Sequence, residues 1–352
     1  IVPRHGPGAT ADRLSGNGKY DLTYWPTRLE AVFPYGEYGI PSPRFDMFCR
    51  TGRVQQPEME HELPARVILV PKTLKTPRVI SAEPAAMQWI QQGLAVPLVR
   101  LLESDQLVSP LIGFTDQAPN QRMACEGSIS GDLATLDLKE ASDRVSLGQV
   151  TSILRRHPLF REAALSCRSN LAKLPKEFGG DTISLKKFAS MGSALCFPME
   201  AVTFLAAVFM GIEVSLIRRG MTHLLTRADI RRFHGSVRVY GDDIVVPVEH
   251  VEAIKEVFAA FGWRINSEKS FITGDFRESC GGDFYRGEDI TPVKLRRMPP
   301  TSRQQVSEIE SYASFRNRLY MRGYWSTCAY LDERIKKLIP FPLVSHNSPI
   351  IG

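Results

Sequence analysis

The chain has 352 residues, 43% of them hydrophobic and 23% charged, with a net charge of +6 and a sequence pI of about 9.0. That composition excludes a disordered chain and supplies enough apolar surface for two or three subdomains. The basic excess suits a polyanionic partner without requiring one.

Residues 1–65, rich in Gly, Pro and aromatics and without periodicity, read as irregular but anchored structure. Ala65–Val70 and Arg78–Ser81 read as two strands flanking a basic turn. Met87–Leu102 reads as a helix perturbed at Pro97. Gly131–Leu138 reads as a strand that delivers Asp137 at its end, followed by a helix over Ser146–Arg155 and a strand over Asp181–Phe188. Ser190–Gly192 turns into the most apolar stretch, Ala194–Ile217. Pro198, Glu200 and Glu213 leave it no clean run long enough to span a bilayer, so a buried helix with no membrane partner is expected. Ser236–Val246 places two β-branched runs around Gly241-Asp242-Asp243, a hairpin pattern. A helix over Val251–Phe261, a short strand over Arg264–Phe271 and a mainly helical region over 302–338 complete the chain. There are no repeats, low-complexity tracts or long linkers. Cys49, Cys125, Cys167, Cys196, Cys280 and Cys328 form no Cys-x-x-Cys pair, so free thiols in a reducing cytosol are expected, not a zinc site. The chain opens on Ile1 without a signal-peptide pattern and reads as a processed product or a fragment.

The acids carry the chemistry. Asp242 and Asp243 are adjacent like charges on a tight turn between apolar strands, a placement that folding alone rarely selects. The bland alternative is a solvated Gly-Asp turn. Asp137, a second acid at a strand end, favours the functional reading. Two-metal phosphoryl transfer needs carboxylates from separate strands converging on ions about 3.5–4 Å apart, and Mg²⁺ accepts a few carboxylates plus phosphate oxygens. Asp143, six residues after Asp137, is placed either to meet the ribose of a nucleotide or to N-cap the following helix.

In order and spacing, Asp137 with Asp143, then Ser190-Met191-Gly192, then Tyr240-Gly241-Asp242-Asp243 resemble motifs A, B and C of viral RNA-dependent RNA polymerases. The likeness is closer to the replicases of the single-stranded RNA bacteriophages, the leviviruses. It rests further on Asp116-Gln117 with Asn120-Gln121, on Leu138 to Ser142, on Asn266 to Phe271, and on Phe276 to Gly281 with Tyr285-Arg286-Gly287.

The resemblance implies an α+β right-hand polymerase with an antiparallel palm sheet backed by helices. Its parts would be fingers and N-terminal region over 1–130, palm over 131–275 with a finger insertion at about 146–181, and thumb over 276–352. It implies template-directed RNA synthesis from NTPs, with Asp137, Asp242 and Asp243 as catalytic metal ligands for Mg²⁺, or alternatively Mn²⁺. Asp143 falls on the ribose-sensing position, and Ser190 and Gly192 on the flexible loop where template and nucleotide meet. Lys72, Lys75 and Arg78 fall on the basic hairpin over the triphosphate, and Lys269 on a lysine suited to protonate pyrophosphate. The resemblance further implies RNA contacts at Asn120, Gln121, Arg277 and Tyr285. Cys280 reads as structural. By the same resemblance the partners are template and product RNA, NTPs, host translation elongation factors and an RNA-binding ribosomal protein, in the cytoplasm of an infected bacterial host. The chain departs from the wider viral pattern in its motif B helix, which carries Cys196, Phe197 and Glu200 and no asparagine, so the resemblance does not say how ribose is told from deoxyribose.

Two rival readings remain open at this stage. A reverse transcriptase would carry a bulky aromatic after the first acid, where Leu138, Lys139, Glu140, Ala141 and Ser142 stand here. A non-catalytic RNA-binding remnant would hold RNA through basic surface alone, yet it has no reason to keep converging carboxylates that repel RNA.

Overall fold

The computed structural model describes residues 1–40, 53–71, 77–345, 348 and 350–352. The chain divides into two compact units, Ile1–Ile68 with Val79–Ile290, and Leu69–Arg78 with Thr291–Gly352.

The first unit begins with two one-turn helices, α1 (Thr27–Glu30) and α2 (Tyr35–Tyr38), then β1 (Ala65–Pro71) and β2 (Pro77–Ala82), whose 69–78 ends belong to the second unit. Next come α3 (Ala85–Ser104), α4 (Ala118–Ser130), β3 (Leu133–Leu136), β4 (Leu138–Lys139), α5 (Ala141–Arg144), α6 (Leu147–Ile153), α7 (Pro158–Ser166), β5 (Leu171–Lys173) and β6 (Thr182–Ser184). The long α8 (Cys196–Arg218) and short α9 (Arg227–Arg231) lead into β7 (Arg238–Tyr240) and β8 (Asp243–Pro247). Then follow α10 (Val251–Ala260), β9 (Arg264–Ile265), β10 (Phe276–Ser279), β11 (Gly282–Tyr285) and β12 (Glu288–Asp289). The result is an α+β fold.

The site rests on an antiparallel sheet in the order β3-β8-β7. All four residues of β3, the polar Thr135 among them, are buried, because both faces of the sheet are covered. α4 packs against β3 and β8, and α8 packs against β7. α8 lies along α10, and the Trp263 ring meets Phe204 at 4.8 Å and Phe258 at 5.4 Å in edge-on contacts. Among the described residues α8 is the helix that is long and apolar enough to cross a membrane, which the reading of interrupted runs missed. Its Met199, Phe204, Val208 and Ile212 are instead buried in the main core.

A second sheet, in the order β2-β1-β5-β6, sets β1 parallel to β5 and β5 antiparallel to β6. The expected strand over Asp181–Phe188 shortens to Thr182–Ser184, with a further bridge from Ser146 to Lys187. The helix expected from Ser146 is present over Leu147–Ile153 and is capped by Ser146 and Gln149 in a reciprocal capping box. Asp143 therefore is not its N-cap. The third sheet, β10-β11-β12, packs on α4. That packing holds residues 276–290 in the first compact unit.

In the second unit α11 (Val306–Met321) and α12 (Trp325–Lys336) pack on each other around Tyr312, Leu319, Leu331 and Ile335. Arg316 grips Asp332 with two hydrogen bonds of 2.5 and 2.8 Å. The region expected to be mainly helical, 302–338, consists largely of these two helices.

Candidate active site

The β7–β8 hairpin closes on the pair Tyr240 and Asp243, leaving Gly241 and Asp242 as its two-residue turn. Of these two residues only Gly241 has positive φ, at 61°, which is the type II′ pattern whose twist matches the flanking strands. The ladder from β3 to β8 pairs Leu136 with Ile244. One further step in that register sets Asp137 opposite Asp243. Two neighbouring strands thus deliver acids at the same end of the sheet, and the turn adds Asp242.

Each acid is held from outside the hairpin. Asn266 Nδ2 donates to Asp137 Oδ2 at 2.8 Å, and the Asn266 amide donates to the Asp137 carbonyl at 2.9 Å. The Asp137 amide donates to Ser270 Oγ at 3.0 Å. Lys269 Nζ stands 3.9 Å from Asp137 Oδ2 and remains largely exposed, free to swing. Asp243 Oδ1 accepts the Cys280 amide at 3.0 Å. That amide is aimed by the β10–β11 turn, where Cys280 at φ 50° and Gly281 at φ 73° form the type I′ pattern. A cysteine in this region is strained, and strain of this kind gathers at functional sites.

The electrostatics fit a cation site. Burial, with Asp242 and Asp137 adding to it, pushes the Asp243 carboxyl up to about 6, against the opposing pull of the Cys280 amide. Burial and then Asp242 and Asp143 push Glu200 up to about 8. Burial, Asp243, Asp283 and Asp137 push Glu278 up to about 7, against the Gly281 amide. Among the described residues no group of three or more His, Cys, Asp or Glu side chains is drawn together closely enough to hold a metal ion by itself. Mg²⁺ does not need one, since it binds through one or two carboxylates plus waters and substrate phosphates. The all-oxygen donors of Asp137, Asp242 and Asp243, brought to one end of the sheet, suit such an ion.

The remaining expected residues fall in different places. Asp143 ion-pairs through Oδ1 with Lys187 Nζ, a partner the sequence reading missed. Ser190 is 2% exposed and among the described residues its Oγ has no hydrogen-bond partner, so it lies beneath the loop surface. Gly192, at φ 130°, abuts β2: a Cβ there would lie 2.0 Å from the Ser81 carbonyl oxygen, beside the 2.8 Å hydrogen bond from the Ser81 amide to the Met191 carbonyl. Lys72 and Lys75 lie outside the described residues. Arg78 is exposed and belongs to the second unit, where it lines a cavity of about 1090 Å³ with Arg296, Arg297 and Arg318. Tyr285 is exposed under the Arg286 guanidinium.

Three expected RNA contacts are corrected. Arg277 is 0% exposed, and its guanidinium donates to the carbonyls of Leu133, Gly274, Phe276 and Ile272. Asn120 is also fully buried and donates to the Asp243 carbonyl at 3.4 Å. Gln121 donates to the Cys280 carbonyl at 3.1 Å. Arg277 braces β3 and the 272–276 segment, Asn120 braces the hairpin through its Nδ2, and the half-buried Gln121 braces the Cys280 turn. Asn266, Ser270 and Lys187 are the site residues missed. Asn266 and Ser270 lay within a segment that carried the resemblance, while nothing in the local sequence marks Lys187.

Residues 51–305 match the family model described as RNA replicase, beta-chain. The chain belongs to this family. It is 35% identical over 289 residues to the RNA-directed RNA polymerase subunit beta of Escherichia virus Qbeta, covering 81% of this chain and 44% of that protein. It is 33% identical over 275 residues to the RNA-directed RNA polymerase beta chain of Escherichia phage MS2, covering 77% and 43%. The chain thus spans less than half the length of these relatives. Its fold is similar to the RNA-dependent RNA polymerase of a human picorbirnavirus, with a TM-score of 0.53 at 12% identity over 79% of this chain and 57% of that one. An insertion-loop deletion mutant of that polymerase gives a TM-score of 0.51 at 13% identity, over 79% and 59%. At such identity the likeness establishes the α+β viral polymerase fold alone. Family membership implies the use of divalent metal ions in general.

Proposed function

We propose that this chain is the catalytic part of a phage-type RNA-directed RNA polymerase, which extends RNA from NTPs on an RNA template. The observation that carries the reading is the delivery of Asp137 and Asp243 by paired strands to one end of the sheet, with Asp242 at the adjoining turn.

In this reading Asp137, Asp242 and Asp243 hold Mg²⁺, with Mn²⁺ as an alternative. Such ions, held by these three carboxylates, would lower the pKa of the attacking hydroxyl and offset charge on the departing phosphates. The RNA 3′-oxygen forms a bond to the α-phosphorus of the NTP as the bond to the bridging β-oxygen breaks, and pyrophosphate leaves. Lys269 moves from Asp137 to give a proton to that leaving group. Asp143 keeps its ion pair with Lys187 through Oδ1 and meets the ribose through its other carboxylate oxygen. Lys72, Lys75 and Arg78 neutralise the triphosphate, Ser190 and Gly192 shape the loop beside the nascent pair, and Tyr285 meets the product strand. Positioning and electrostatics supply most of the rate. The parts are fingers over 1–130, palm over 131–275 with its finger insertion at about 146–181, and thumb over 276–352. The setting is the cytoplasm of an infected bacterium, with host translation elongation factors and an RNA-binding ribosomal protein as partners.

The test is template-dependent incorporation. With Mg²⁺ and a homopolymeric RNA template, the chain alone or with host factors incorporates only the complementary labelled NTP. Incorporation that ignores the template, or none under any of these conditions, contradicts the reading.

A further inference from the structure

We propose that Glu200 reads the sugar of the incoming nucleotide, its carboxyl accepting a hydrogen bond from the ribose 2′-hydroxyl between Asp143 and Asp242. The inference rests on the polymerase reading above.

The placement follows from the helix. The first turns of α8 pack between α5, which carries Asp143, and β7, which leads into the turn carrying Asp242. Phe197, on the first turn of α8, sets its ring against Gly241 and Tyr240. Glu200 follows Phe197 by three residues and Cys196 by four, so it shares their face of the helix and points toward the same end of the hairpin.

The chemistry follows from what surrounds it. Glu200 is 7% exposed, and among the described residues no hydrogen bond to its carboxyl is found. The charges that act on it are the two acids Asp242 and Asp143. The nearby cation, Lys187, is engaged with Asp143. A buried carboxyl without a donor is costly, and the cost is relieved when the donor arrives with a ligand. The ligand must bring a hydroxyl to a point between a metal-site acid and a second acid. The ribose of a nucleotide whose phosphates lie at Asp242 meets that requirement. A carboxyl oxygen accepts this hydrogen bond whether or not the group is protonated. A 2′-deoxy sugar leaves Glu200 unpaired, and a site built to bond a hydroxyl rejects an analogue lacking it. This supplies the sugar selection that an asparagine on the motif B helix would otherwise provide.

The test compares the native chain with Glu200→Met, which keeps the volume and removes the acceptor, and with Glu200→Gln, which keeps one acceptor oxygen. kcat and KM are measured for an NTP, its 2′-deoxy analogue and its 2′-fluoro analogue, and thermal melting checks folding. The expected result is that Glu200→Met lowers the preference for NTP over 2′-deoxy-NTP by about tenfold or more, through the NTP parameters alone, with Glu200→Gln intermediate. In the native chain the 2′-fluoro analogue, which has no donor, is expected to be used as poorly as the 2′-deoxy one. An unchanged sugar preference in Glu200→Met overturns the proposal, and a shifted Mg²⁺ requirement beside it makes Glu200 a metal ligand instead. If Glu200→Met does not fold, efficient use of the 2′-fluoro analogue by the native chain overturns it alone. Absence of all incorporation by the native chain counts against the polymerase reading. Equilibrium binding of ATP and 2′-deoxy-ATP then decides for Glu200, and equal affinities overturn its role.

Discussion

The ring of Phe197 lies against the backbone of Gly241, so closely that a Cβ at Gly241 would stand 2.3 Å from Phe197 Cε2. The turn carrying Asp242 is thus set both by its own positive φ and by an aromatic from the neighbouring helix. Gly241→Ala is expected to lose about 1–3 kcal/mol of stability and most incorporation activity, because the turn must shift to admit a methyl group. Phe197→Ala in the same chain removes the clash and is expected to restore part of both. Urea unfolding and NTP incorporation on the two single variants and the double variant measure the coupling, and strictly additive losses would rule it out.

Arg277 is a structural cation. Its removal leaves the buried Leu133 carbonyl, and three less buried ones at Ile272, Gly274 and Phe276, without their donor. Arg277→Ala is expected to lose about 3 kcal/mol or more of stability, while RNA affinity per folded molecule stays unchanged. Tyr285→Ala, at an exposed position, is expected to behave oppositely, weakening RNA binding without a shift in melting. Denaturant titration beside filter binding separates the two.

Cys280 serves chiefly through its amide, with its thiol adding a weaker hydrogen bond to Asp243. Burial pushes the thiol well above the ordinary cysteine range, with Asp243 adding to the effect, while the N–H supports Asp243. Cys280→Gly keeps the N–H and suits φ 50°, so near-native activity and equal or higher stability are expected. Cys280→Pro removes the N–H and cannot adopt that φ, so activity is expected to disappear. Loss of activity in Cys280→Gly would mean that the side chain has a role of its own.

His5 gives a pH signature in stability. Its ring lies between Tyr20 and Trp89, at 4.8 and 4.4 Å, and among the described residues neither ring nitrogen has a hydrogen-bond partner. Burial first and Lys19 second hold it down at about 4, against its ordinary value of 6.5. Between those values the unfolded chain binds a proton that the folded chain refuses. The stability from neutral His5 is therefore complete above pH 6.5 and is lost as pH falls toward 4. His5→Phe should remove this component, so its melting temperature should fall less than that of the native chain across the window. Parallel curves would refute the assignment.

The elements legible in the sequence were those with a strong local pattern. The β-branched runs around Gly241-Asp242-Asp243 announced the hairpin, and the apolar stretch ending near Ile217 announced α8. α4 was not anticipated: Pro119, Gly127 and scattered polar residues give it no clear apolar stripe, and it is a helix because β3, β10 and β11 pack on it. Arg277, Asn120 and Gln121 were expected at RNA through the resemblance, whereas each reaches at least one backbone carbonyl distant in sequence, at Leu133, Asp243 and Cys280. Such pairings have no local signal. The same holds for Lys187, whose approach to Asp143 depends on the bridge from its segment to Ser146. The acids were legible because their chemistry is unusual where it stands. The braces were not, because only the fold defines them.

The central claim is tested most directly by Asp242→Asn. The substitution keeps size and removes one charge at the turn, so the chain should fold as before. The account predicts that Mg²⁺-dependent NTP incorporation falls by about a thousandfold or more while RNA binding is retained, as expected when a metal-holding carboxylate is lost. Incorporation equal to that of the native chain would contradict it.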